Sequence, residues 1–173
     1  KIITVQSGAT WDDVQNYINP YNLSVKVMQS SNIFTIGGTM SANAHGRDLD
    51  RTAMIETVRG FRFLLANGTI INVNRTVNSE LFNLVIGGYV MFGIILDADI
   101  ELTNNEIYKT TTKSINYKEL PAYFSNNIKS NENIALMLVR PSIDPDSLFE
   151  DLTVFTWEKT NHQINSSLFK FEA

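Results

Sequence analysis

The stretch ETVRGFRFLLANGTIINVN, Glu56 to Asn74, constrains the fold more than any other part of the chain. Two runs rich in β-branched and aromatic residues flank Asn67-Gly68, a pair favoured in tight hairpin turns because both positions tolerate positive φ. An antiparallel hairpin is therefore expected, and its neighbours must build on an antiparallel sheet. IITVQ, Ile2 to Gln6, reads as a short strand. In TWDDVQNYI, Thr10 as N-cap with Asp13 three residues on predicts a helix that turns Trp11, Val14 and Ile18 to one side. VKVM, Val25 to Met28, is strand-like, and NSELFNLVI reads as a helix capped by Asn78. From Ile94 to Leu102, apolar Leu96, Ala98, Ile100 and Leu102 alternate with Asp97, Asp99 and Glu101, the pattern of a strand with one packed face and one wet face.

Near Thr103 to Glu106 this pattern breaks and a second set of elements begins. YKTTTKSI reads as a strand, NYKELPAYFSNNI as a helix with Asn116 and Glu119 as a capping box, and IALMLVR and DLTVFTWEK as two more strands. The fold class is α+β, in two units, residues 1–105 and 106–173. So few elements in the second unit leave strand edges that more chain or a partner should cover. The chain opens on Lys1 directly into a strand, with neither an initiator Met nor a leader, so a piece of a longer protein is expected.

The formal net charge is −4 with no Lys/Arg block, so nucleic acid is not an expected partner. There is no cysteine, which excludes disulfides, thiolate nucleophiles and cysteine-based metal sites and leaves the compartment open. The most apolar run, LVIGGYVMFGIIL from Leu84 to Leu96, is shorter than the ~20 residues of a bilayer-spanning helix. It reads as buried core, not as a membrane span. Asn-x-Ser/Thr sequons at Asn22, Asn67, Asn74 and Asn165 carry little weight in an Asn-rich chain.

Thr35 to Asp48, TIGGTMSANAHGRD, has almost no bulk with which to build a core. A short helix from Gly38 to about Ala44, ending by Gly46, fits it, and glycine there permits close approach to the backbone. Ser41 and His45 would share a helix face, but no G-x-S-x-G elbow or third member accompanies them. Spacing alone favours a structural His45, and His162 reads as a surface residue. Asp97, Asp99 and Glu101 could hold a hard cation, although a solvated strand face explains them better. DPDSLFED, with Pro145 and no central Gly, is a polar turn. GGYVMFG precedes a strand, whereas the dinucleotide fingerprint G-x-G-x-x-G follows one, and no Walker lysine is present.

Taken in order, TVQSGATWDDVQNYINPYNLSV, QSSNIFTIGGTMSANAHGRD, ETVRGFRFLLANGTI and SELFNLVIGGYVMFGIILDADIELT resemble the FAD-binding domain of the vanillyl-alcohol oxidase/p-cresol methylhydroxylase (PCMH-type) flavoproteins. The resemblance covers about Ile3 to Thr103 and is nearest the branch of sugar and alditol oxidases and decaprenylphosphoryl-ribose oxidase-like proteins. It implies the second lobe of the FAD-binding domain, an antiparallel sheet flanked by helices, followed by the beginning of an α+β cap that holds substrate. The first lobe of the same protein would be the missing partner. By motif, Ser30 and Ser31 would line the FAD, and Thr35, Gly37 and Gly38 would meet it through their backbone. Ser41, Ala42 and Ala44 would line the same groove, His45 and Gly46 would come near the isoalloxazine, and Gly93 and Ile95 would meet the adenine end.

The implied chemistry is hydride transfer from a small-molecule alcohol, sugar- or polyol-like, to flavin, with the fragment alone inactive. Two departures from the family pattern stand out. Val90 occupies a position that is usually glycine, and RDLDRTAMIETV lacks a usual glycine. These departures keep open a degenerate homologue that serves as a non-catalytic binding or interaction module.

Overall fold

The structure is a computed structural model and describes residues 1–160. His162 and Asn165 lie outside the described residues. The chain divides into two compact units, Lys1–Asn105 and a second that begins at Glu106.

In the first unit, strand β1 (Ile2–Gln6) leads into helix α1 (Trp11–Ile18). The capping box forms as the sequence predicts: the Thr10 side chain accepts from the Asp13 N–H, and the Asp13 carboxylate accepts from the Thr10 N–H at 2.8 Å. That hydrogen bonding holds the Asp13 carboxyl below the usual range. Trp11, Val14 and Ile18 are all buried. Strand β2 spans only Leu23–Val25 and stops short of the expected Met28. It pairs with β5 through Val25 opposite Leu102, and the next β5 residue, Glu101, is already opposite Ile2 of β1, so no partner remains.

Helix α2 (Ile36–Ser41) starts two residues earlier than expected because Thr35 caps it, its hydroxyl accepting from Gly38 N–H at 3.2 Å. The hairpin forms from β3 (Val58–Leu64) and β4 (Ile70–Asn74). Its loop is longer than a two-residue turn. Gly68 N–H donates to the Leu65 carbonyl, Leu65 N–H donates to the Thr69 carbonyl, and of the Asn-Gly pair only Gly68 takes positive φ. In helix α3 (Ser79–Val85), Asn78 does not cap with its side chain. It adopts φ +54° and gives its amide to the Asn72 carbonyl.

Strand β5 (Ile94–Asn104) is the spine of the sheet, pairing antiparallel with β1, β2 and β3. The sheet order is β1-β5-β3-β4, with β2 beside β5. Its packed face joins Val5, Val58, Phe61, Phe63, Val73, Ala98 and Ile100 to residues of α1, α2 and α3 in one core. On the wet face, Asp97 binds Arg62, Glu101 binds Lys26 and Arg59, and Asp99 accepts from the Thr4 hydroxyl. Arg62 hydrogen-bonding holds the Asp97 carboxyl below its usual range, and Lys26 chiefly does the same for Glu101. These carboxylates are thus engaged by cations and a hydroxyl, and no metal-binding group of His, Asp and Glu occurs among the described residues.

The second unit contains β6 (Tyr108–Asn116), helix α4 (Leu120–Tyr123), β7 (Ile134–Pro141) and β8 (Asp151–Lys159), the strands forming an antiparallel sheet in the order β6-β8-β7. Asn116 caps only one way, its side chain accepting from Lys118 N–H at 3.1 Å. The predicted single helix is in fact a 3₁₀ turn, α4 and a π turn in succession. Ile115, Leu152 and Val154 form a small core. Both units are therefore α+β, with antiparallel sheets and flanking helices. Among the described residues no helix is long and apolar enough to cross a membrane.

Candidate functional site

The bare stretch from Thr35 to Gly46 is organised by α2 and by the neighbours that press on it. Gly37 donates its N–H to the Ser7 carbonyl at 2.8 Å, and a Cβ there would lie 2.9 Å from Ser7 Cβ. Gly46 lies so near the loop before α2 that a Cβ would come within 2.7 Å of the Met28 carbonyl oxygen. Both glycines thus answer a close approach of the chain itself. Gly38 differs: it is exposed, and a Cβ would meet only the Thr35 hydroxyl. Ala42 is also exposed, and Ser41 and Ala44 are half-buried.

The N–H groups of α2's first turn are all used within the chain. Ile36 donates to Ala9, Gly37 to Ser7, Gly38 to the Thr35 side chain and Thr39 to the Thr35 carbonyl. A ligand meeting this helix therefore meets bare Cα surface at Gly38 and Ala42, with no free donor in that turn. Thr39 is a buried contributor that the sequence reading missed. Its hydroxyl accepts from the Trp11 indole N–H at 2.9 Å and from the Gln29 amide at 3.1 Å, fixing α2 to α1 and to the loop that carries Ser30 and Ser31. Its i+3 spacing from buried Ile36 was the available signal.

Ser41 receives the second glycine-rich segment. Tyr89 N–H donates to the Ser41 carbonyl and Val90 N–H to the Ser41 hydroxyl, both at 3.0 Å, while Gly87 N–H donates to the Met40 carbonyl. Tyr89 and Val90 reach these acceptors in left-handed conformations, φ +48° and +60°. That is strained for a β-branched valine. The turn throws the apolar run outward, correcting the expectation of buried core: Tyr89 is 69% exposed, Val90 74%, Met91 77% and Ile94 57%. Within the run, Val85, Ile86, Gly88 and Ile95 are buried. Gly93, at φ +144°, lies against the Leu64 carbonyl and the Phe63 ring. The glycine missing from RDLDRTAMIETV has no such conformational role, since residues 47–58 contain no positive φ.

His45 is exposed, its Nδ1 3.1 Å from the carbonyl oxygen of Gly46. Ser41 and His45 do not share a helix face, because α2 ends at Ser41 and Asn43 turns left-handed at φ +45°. Asp48 is half-buried beside Gly46, and burial raises its carboxyl above the usual range, with Arg51 opposing the shift.

The site therefore combines exposed small-residue backbone, at Gly38 and Ala42, with a strained apolar loop tied to Ser41. Such a surface suits the flat, apolar part of a ligand. Residues 1–74 match the sequence profile of the FAD binding domain family. The chain is 30% identical over 148 residues to the FAD-dependent monooxygenase yanF of Aspergillus niger, covering 78% of this chain and 24% of that protein. It is 30% identical over 108 residues to decaprenylphosphoryl-β-D-ribose oxidase of Mycolicibacterium smegmatis, covering 61% and 24%, and 21% identical over 153 residues to bovine L-gulonolactone oxidase, covering 88% and 35%. The chain spans about a quarter to a third of the length of these relatives.

Proposed function

Because the chain belongs to the PCMH-type FAD-binding proteins of the vanillyl-alcohol oxidase family and FAD is its cofactor, we propose that it is the second FAD-binding lobe, with the beginning of the substrate cap, of an oxidoreductase that acts on a sugar- or polyol-like alcohol. Bound FAD would supply the acceptor for a hydride removed from the alcohol carbon. The observation that carries this reading is the exposed apolar turn Tyr89–Ile94, held to Ser41 beside the bare backbone of Gly38 and Ala42.

In this reading Ser30, Ser31, Thr35, Gly37, Gly38, Ser41, Ala42 and Ala44 line the cofactor groove, and Gly93 and Ile95 lie toward its adenine end. Gly37 serves indirectly, by letting α2 sit against Ser7. His45 and Gly46 stand near the flavin ring, and His45 is the titratable side chain placed to hold or move a proton there. Completing the site requires the first lobe of the same protein, so the 173-residue chain binds FAD weakly and does not turn over.

Gly38→Ala tests the groove. In protein from the complete coding sequence, FAD affinity should fall about tenfold, read by flavin fluorescence on titration, with stability within about 1 kcal/mol because helix propensity improves. Wild-type protein without flavin absorbance, and gaining none from added FAD, would overturn the reading. Val90 at φ +60° favours a second reading, a degenerate homologue retained as a binding module. Val90→Gly in the complete protein separates the two, since a large gain in FAD affinity supports degeneracy and no gain over a saturated wild type argues against it.

A further inference from the structure

Helix α2 turns Gly38 and Ala42 outward and buries Thr39 on its other side. Thr39 is 3% exposed and Trp11 0%, and the Trp11 indole N–H donates to Thr39 Oγ1 at 2.9 Å. The Gln29 side-chain amide meets the same atom. Its nitrogen donates at 3.1 Å, and its oxygen lies 3.3 Å away as an acceptor for the Thr39 proton. A hydroxyl offers one donor and two acceptor sites, so these two partners use all that Thr39 has. A buried polar cluster satisfied in this way specifies one arrangement of the elements it joins, which an apolar contact of the same size would not.

Gln29 pins the middle of the loop after β2, whose ends are held separately. At its start the Lys26 carbonyl accepts from Arg51 Nη1 at 3.0 Å. At its end the Asn32 carbonyl accepts from Asp12 N–H at 3.0 Å, and the Asn32 amide donates to Asp12 Oδ1 at 2.7 Å. Ser30 and Ser31 lie between Gln29 and that second anchor. The Met28 carbonyl, one residue before Gln29, sits against Gly46. The spacing of the Ser30–Ser31 loop from Gly38 and Ala42 therefore depends on the contact between Gln29 and Thr39, and so does the seat of Gly46.

We propose that Gln29 and Thr39 are a positioning pair for the cofactor, through which α2 holds the Ser30–Ser31 loop at the separation that bound FAD requires. The pair acts through the loop and not by contact with the ligand. This rests on the reading of that groove as the FAD site.

Protein from the complete coding sequence tests this, by FAD titration and by thermal melting without flavin. Gln29→Ala removes the tie to the loop and leaves the Trp11–Thr39 bond in place, with the freed Thr39 proton able to turn to its own helix. FAD affinity should fall about tenfold, while the flavin-free protein melts within about 3 °C of wild type. Thr39→Val cuts both bonds at similar volume, and its loss of FAD affinity should not add to that of Gln29→Ala in the double variant. Thr39→Ser keeps the hydroxyl and should bind FAD within about twofold of wild type, a rescue that a packing role for the threonine methyl would not give. Unchanged affinity in Gln29→Ala, additive losses in the double variant, or a Thr39→Ser protein as weak as Thr39→Val each overturns the proposal and leaves the groove assignment standing. Wild-type protein that binds no FAD overturns the groove assignment, and the pair with it.

Discussion

Two glycine-bearing segments meet at Ser41, and close approach demands glycine in both, at Gly37 and Gly46 in one and at Gly88 and Gly93 in the other, but only the second also places glycines at positive φ. In the stretch from Thr35 to Gly46 the φ angles of the glycines are ordinary, and Gly37 and Gly46 are needed because Ser7 and Met28 come too close for a side chain. In the segment from Gly87 to Gly93 the left-handed conformation itself recurs, at Gly87, Tyr89, Val90 and Gly93, and two of those four residues are not glycine. The first segment is bare where the fold demands contact. The second is strained where the fold demands a turn, and the two hydrogen bonds to Ser41 hold that strain in place.

The largest break in this comparison should come from Gly93→Ala. A methyl there would lie 2.4 Å from the Leu64 carbonyl oxygen at φ +144°, so both causes act at once. The expected loss is about 3 kcal/mol in urea denaturation. A loss under about 0.5 kcal/mol would mean that the turn can reshape and that the contrast between the segments is false.

Val90→Gly works in the other direction. Relief of a left-handed β-branched residue outweighs the extra freedom of glycine in the unfolded chain, and stability should rise by about 1 kcal/mol. Loss of stability would show that the valine side chain makes contacts worth more than the strain.

The smallest effect belongs to Asp48, beside Gly46. Burial raises its carboxyl pKa in the folded state, so the native protein holds the proton more tightly than the unfolded chain. Its contribution to stability is therefore present on the acid side and is lost as pH rises through the folded pKa. Asp48→Asn should flatten that fall, seen as a smaller drop in Tm between acid and neutral pH. An unchanged pH profile would place the cause elsewhere.

Local signals in the sequence were readable because their physics is local. The Thr10–Asp13 box, the hairpin around Gly68 and the alternation from Leu96 to Leu102 all depend on residues a few positions apart. The alternation predicted a wet face, but not that Arg62, Arg59 and Lys26 would occupy it, because those arrive from β3 and from the loop after β2. Likewise, hydropathy marked Leu84 to Leu96 as core, whereas exposure there is set by the backbone at Tyr89 and Val90, which hydropathy does not encode. The small-residue stretch was visible as a place of close approach. That Ser7 and Met28 make part of that approach depends on contacts some thirty and eighteen residues back in the chain.

Strand β5 pairs with every strand of the first sheet except β4, yet it is the last of them in the chain. During synthesis from the N-terminus, β1, β2 and β3 must therefore wait for their common partner. Ile2 faces Glu101, nearly a hundred residues later, a delay of roughly 5–20 s at ribosomal rates of about 5–20 residues per second. Until then, among the strands of this sheet, only the β3–β4 hairpin can form its ladder, and IITVQ emerges without its β5 partner. A nascent chain stalled before residue 94 should bind holdase chaperones and resist them only once β5 has cleared the exit tunnel.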